Sequence, residues 1–125
     1  MTNSGPERLT SNDRPFDLEE RTAKFGEAVI DLCKKVSLGP LTNRIVDQLI
    51  GAATSIGANY CEADDAVSKK DFRYKISISK RESRESKHFL RMIARAAPEF
   101  RDDARVLWQE AKELHLIFSA IYRKK

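Results

Sequence analysis

Four stretches of this chain place apolar or small residues alternately four and three positions apart, a spacing that an amphipathic helix turns into one buried face. The first runs Leu18, Thr22, Phe25, Val29, Leu32, Val36, and the second Ile45, Leu49, Ala52, Ile56, Asn59, Ala63, Ala66. The third reads Phe72, Ile76, Ser79, Ser83, Ser86, Leu90, Ile93, Ala97, and the fourth Leu107, Ala111, Leu114, Phe118, Ile121, with Trp108 and Tyr122 beside it. No segment alternates with period two over a strand's length, so the fold class is all-α. Asp17 is placed to cap the first helix, with Glu20 three residues on in the capping-box position. Gly39-Pro40 is expected to stop that helix, the glycine taking the left-handed cap. The second helix is expected from about Thr42 to Ala66 and the third from a cap at Ser68 to Ala97. Pro98 then forces a boundary before a fourth helix that starts near Glu99 or Asp102 and ends at Arg123. Connections this short join antiparallel neighbours, which predicts an up-down-up-down four-helix bundle.

A chain of 125 residues suits one domain with a single hydrophobic core. Residues 1–15, rich in Thr, Ser, Asn and charged groups and holding Gly5, Pro6 and Pro15, read as a disordered tail before a bundle domain at 16–125. With no signal-peptide pattern and no apolar run near twenty residues, the expected location is cytoplasmic, with no membrane partner. In that compartment Cys33 and Cys61, both inside helical patterns, are expected as reduced core residues.

The helices are less simple than their spacing. Asn59 falls on the second seam between Ile56 and Ala63, and Gly51 and Gly57 sit among small residues where another backbone can come close. The third helix has a hydroxylated middle, and a second stripe there, Ile78, Glu82, Glu85, Phe89, Met92, sets two carboxylates between large apolar residues. Asn59, Glu62, Glu82 and Glu85 are therefore expected to form a structural polar network, a device that fixes register or subunit pairing. The competing reading is a carboxylate metal centre. A ferritin-like site needs two Glu-x-x-His motifs plus a Glu from each of two further helices, and Glu85 to His88 supplies one motif. No metal or cofactor is expected. Phosphate loop, nucleophile elbow and a triad-completing histidine are all missing from the sequence, so an enzyme is not expected.

Charge is distributed unevenly. The net value is +4, yet residues 68–97 carry +7 while residues 39–67 carry −3. Arg73, Lys80, Arg84, Lys87, Arg91 and Arg95 fall close to one face of the third helix, where like charges three and four apart repel by about 0.2–0.5 kcal/mol per pair. Such a face calls for an acidic partner. The partner is either acidic groups of the protein itself, such as Asp47, Asp64, Asp65, Asp102, Asp103, Glu110 and Glu113, or the phosphates of RNA or DNA. Tyr74 is the one aromatic residue expected near this face, so any binding is expected to be weakly sequence-specific.

The stretch Ser55-Ile56-Gly57-Ala58-Asn59-Tyr60, followed by Glu62-Ala63, Ser68-Lys69-Lys70-Asp71-Phe72, Lys75-Ile76 and Glu82 with Glu85, resembles the four-helix-bundle family related to the 23S rRNA intervening-sequence proteins. The resemblance covers roughly residues 16–123. It implies a homo-oligomer, often a pentamer of bundles. It also points to nucleic acid, because a basic relative in diversity-generating retroelements serves a reverse transcriptase as a nucleic-acid-binding accessory. Two function classes stand against each other: a non-enzymatic RNA or DNA binder working through the third helix, and a protein-interaction adaptor or self-assembly module.

Overall fold

The protein, in a computed structural model, is described over residues 17–124, so the expected N-terminal tail lies outside the described residues. Four helices follow one another: α1 (Leu18–Lys35), α2 (Asn43–Asp64), α3 (Lys69–Ala96) and α4 (Arg101–Lys124), with one 3₁₀ turn at Pro98–Phe100 before the last. Each helix packs on its sequence neighbour, most extensively α2 on α3 and α3 on α4, and a lighter contact between α1 and α4 closes the antiparallel bundle.

The starts of α1 and α3 are capped as their sequences dictate. Asp17 Oδ1 accepts from the Glu20 amide at 3.3 Å, and Ser68 Oγ accepts from the Asp71 amide at 3.1 Å. The end of α1 differs from expectation. It stops at Lys35, Val36 turns extended with φ −80° and ψ 127°, and Gly39 does not adopt a positive φ. The hydroxyl of Thr42 organises the turn instead, accepting from the Gly39 amide at 2.9 Å and donating to the Ser37 carbonyl at 2.8 Å. A side chain thus does what the left-handed glycine was expected to do.

The interior follows the predicted stripes in α1, α3 and α4. Leu49, Ile56, Ile76, Leu90, Ile93, Leu114, Val29 and Phe118 are fully buried, each large side chain contributing about 1.5–3 kcal/mol. In α2 the stripe is rotated relative to the expected one. Val46 and Ala53 are buried, Ile45 and Asn59 lie at its edge, and Tyr60 packs on the core with its ring 5.9 Å from that of Phe118. Val46, Ala53 and Tyr60 are seven residues apart, so the one-residue offset is already present in the first turn of α2 and persists to its end.

Polar groups enter the core where the third helix predicts them. Ser79, Ser83 and Ser86 are fully buried, and Ser79 Oγ donates to the Ile56 carbonyl across the α2–α3 interface at 2.9 Å. Ser83 Oγ donates back to the Ser79 carbonyl at 2.8 Å, while Ser86 Oγ is buried without a partner among the described residues. The close approach expected of the glycines occurs between α1 and α2 at Gly57, where an added Cβ would stand 2.9 Å from Thr22 Oγ1; Gly51 faces open space. Cys33 is buried, and burial pushes its thiol up to about 11, so it packs as an unreactive apolar group. Cys61 is exposed, contrary to the expectation of a core residue.

Candidate nucleic-acid interface

The six cations expected on one face of α3 do share a face, and it lies along α4. Arg84, Arg91 and Arg95 are exposed; Arg73, Lys80 and Lys87 are half-buried. From Arg73 to Arg95 the row spans about 33 Å at 1.5 Å per residue. It does not stand alone. On α4, Arg101, Arg105, Trp108, Lys112, His115 and Tyr122 occur at intervals of three, four and seven, one helical face.

The antiparallel register brings the two rows together along their length. Arg73 lays its guanidinium 4.2 Å from the centre of the Tyr122 ring and donates through Nη1 to the Tyr122 carbonyl at 3.2 Å. Lys80 Nζ lies 5.4 Å from the same ring. Lys87 Nζ from α3 and Lys112 Nζ from α4 lie 5.4 and 5.7 Å from the indole of Trp108. These distances are within the range of attraction between a cation and the negative face of an aromatic ring. Between these two aromatic sites sits His115. Its pKa is held below the usual value, first by burial and then by the repulsion of Lys87, Lys80 and Arg84.

Three of the acidic groups that could have neutralised this face, Asp103, Glu110 and Glu113, are directed elsewhere. Arg21 on α1 takes Glu110 at 2.7 Å and Glu113 at 2.9 Å, and Lys35 reaches Asp103 at 3.5 Å. None of the six α3 cations has an ion-pair partner among the described residues. Nor do Arg101, Arg105 and Lys112. The bundle therefore sorts its charges, with paired acids at the α1–α4 side and unpaired cations along α3–α4.

The expected polar network is divided within the chain. Asn59 is half-buried and its amide donates to the carbonyl and hydroxyl of Ser55, one turn back on the same helix, both at 2.9 Å. Glu62 is exposed and pairs with Lys75 across α2–α3 at 2.5 Å. Glu82 is half-buried, its pKa raised first by burial and then by Glu85, and its nearest cation is Arg81 at 3.8 Å. Glu85 is exposed, not part-buried as its stripe suggested, because the stripe lies at the margin of the core. Among the described residues no group of three or more His, Cys, Asp or Glu side chains is placed to hold a metal. No helix of the described residues is long and apolar enough to cross a membrane.

Reading α3 in isolation misses the aromatic side of the site. Tyr74 is exposed and borders a cleft of about 370 Å³ with Arg73 and Tyr122, but it is not the sole aromatic group there. Tyr122 and Trp108 come from α4. The signal was present as the α4 spacing of cations and rings, but it acquires meaning only once α4 is set antiparallel against α3.

A family model described as 23S rRNA-intervening sequence protein matches residues 16–120. The chain is also similar to a crystal structure from Bacteroides thetaiotaomicron VPI-5482, a protein of unknown function from the S23 ribosomal protein family. Identity is 25% over 83% of this chain and 96% of that one, with a TM-score of 0.72. No curated protein matches.

Proposed function

Because the chain belongs to the 23S rRNA-intervening sequence protein family, we propose that it is a non-enzymatic, cytoplasmic bundle that assembles with copies of itself, as a pentamer, and binds RNA or DNA along the α3–α4 face. The observation that carries this reading is the unpaired cation row. Keeping that many like charges side by side costs stability, and three acids of α4, Asp103, Glu110 and Glu113, are held by Lys35 and Arg21 instead of relieving it. A polyphosphate backbone relieves it and gains entropy from the counterions released. The S23 ribosomal protein family of the similar structure makes RNA the first polymer to test.

Six phosphates neutralised would give a slope of log affinity against log salt of about −5 on duplex DNA and about −4 on single strands. The test is binding to labelled RNA and DNA across a salt series, with the wild type against a variant carrying Arg84→Glu, Lys87→Glu and Arg91→Glu. The variant is expected to lose binding while its mass in solution is unchanged. Retention of wild-type affinity would refute the assignment of the face.

The alternative, an adaptor or self-assembly module without nucleic-acid binding, is favoured by the apolar residues exposed at the helix connections, Leu38, Leu41 and Val67. In that case the same triple substitution breaks up the assembly, because the cations lie inside it.

A further inference from the structure

Near the end of α3 and the start of α4 the cation row widens into a groove of about 510 Å³, a size typical of small-molecule sites. Its floor is apolar, made by Leu90, Ala94 and Ala104, and one wall is the half-buried indole of Trp108. Arg91 from α3 and Arg101 and Arg105 from α4 border it, and none of the three has an ion-pair partner among the described residues. An apolar pocket with an aromatic wall and three unpaired guanidiniums combines two chemistries: one suits a flat ring and the other a phosphate.

We propose that this groove takes a single unstacked nucleotide, its base against Trp108 and the apolar floor and its phosphate on Arg91, Arg101 and Arg105. The inference rests on the nucleic-acid reading of the α3–α4 face and makes it specific to single strands. In a duplex the bases are stacked on one another and offer no free ring face; an unpaired base can leave its stack and lie on an aromatic side chain. Lys87 and Lys112 now lie over the indole, where they are held by the ring's negative face. Guanidiniums suit the phosphate because their planar fork can make two parallel hydrogen bonds to it.

Trp108 is the sole tryptophan in the chain, so its fluorescence reports on this groove and nowhere else. The experiment titrates the full-length protein with AMP, adenosine, inorganic phosphate, a twelve-residue adenine RNA strand and a duplex of equal length, reading tryptophan emission and, for labelled strands, anisotropy. The single strand and AMP are expected to quench emission saturably, AMP more strongly than adenosine or phosphate. The duplex is expected to raise anisotropy with less quenching than the single strand. In the Trp108→Leu variant, single-strand affinity is expected to fall about fivefold or more, the loss of one base–aromatic stack, with duplex affinity falling less and Trp108→Phe recovering most of the single-strand loss. Single-strand binding with unchanged emission and an indifferent Trp108→Leu variant would overturn the groove but leave the α3–α4 face standing. No anisotropy change with any strand and no quenching by AMP would overturn both.

Discussion

Two glycines in the same helix are expected to respond differently to the same substitution. At Gly51 an added methyl group meets nothing within 4 Å, and the position is exposed. Gly51→Ala is therefore expected to stabilise the protein by the helix-propensity difference, about 1 kcal/mol. At Gly57 the methyl would lie 2.9 Å from Thr22 Oγ1 and 3.2 Å from Thr22 Cβ. Thr22 has little freedom to yield: it is 2% exposed, and its hydroxyl donates to the Leu18 carbonyl at 2.6 Å. Its branched side chain has few helical rotamers. Overpacking of this kind costs about 1–3 kcal/mol, which offsets or exceeds the propensity gain. The two variants should differ by that overpacking cost, a separation of about 4 °C in Tm for each kcal/mol in a domain near 100 residues. Thermal unfolding of both, followed by circular dichroism at one protein concentration, checks the prediction. Adding Thr22→Ala to Gly57→Ala removes the nearest atom, so the double variant is expected to show coupling of at least about 0.5 kcal/mol. If Gly57→Ala melts as high as Gly51→Ala, the α1–α2 contact is not the tight approach described, and the argument fails.

Ser86→Ala is expected to stabilise by about 1 kcal/mol, because it removes a buried hydroxyl that has no partner among the described residues; a fall in Tm would show that the hydroxyl is bonded after all. Ser79→Ala, in contrast, should destabilise by about 1 kcal/mol through the lost bond to Ile56. His115 links binding to pH. Its pKa is lowered from the usual 6.5 by burial and by Lys87, Lys80 and Arg84, with Lys112 one turn back on its own helix. The free protein therefore loses stability as pH falls below about 6.5 and on through the lower folded value. A bound polyanion offsets those cations and raises the pKa, so affinity is expected to rise as pH falls through the same window. NMR titration of His115 with and without RNA, and a flattened pH profile in His115→Gln, check this; a pKa that RNA leaves in place would sink it.

The sequence by itself determined what depends on near neighbours in the chain. Capping by Asp17 and Ser68, the boundary at Pro98 and the four-three stripes of α1, α3 and α4 are interactions across one or two turns, and each is legible from residue type and spacing. So was the gathering of six cations on one face of α3, since helical geometry alone places them there. The stripe of α2 was less legible because its residues are small on several sides, and Tyr60 rather than Asn59 meets Phe118 only when α4 is in place. The turn after α1 depended on Thr42, whose hydroxyl can compete with Gly39 for the same backbone groups. Tertiary structure decided the rest of the site. Arg21 reaches Glu110 across 89 residues of sequence and Arg73 reaches Tyr122 across 49. Periodicity specifies which side of a helix is apolar, whereas the antiparallel register between helices specifies which acid meets which base. That register pairs Asp103, Glu110 and Glu113 of α4 with α1 and leaves the cations of α3 beside the rings of α4, unpaired among the described residues.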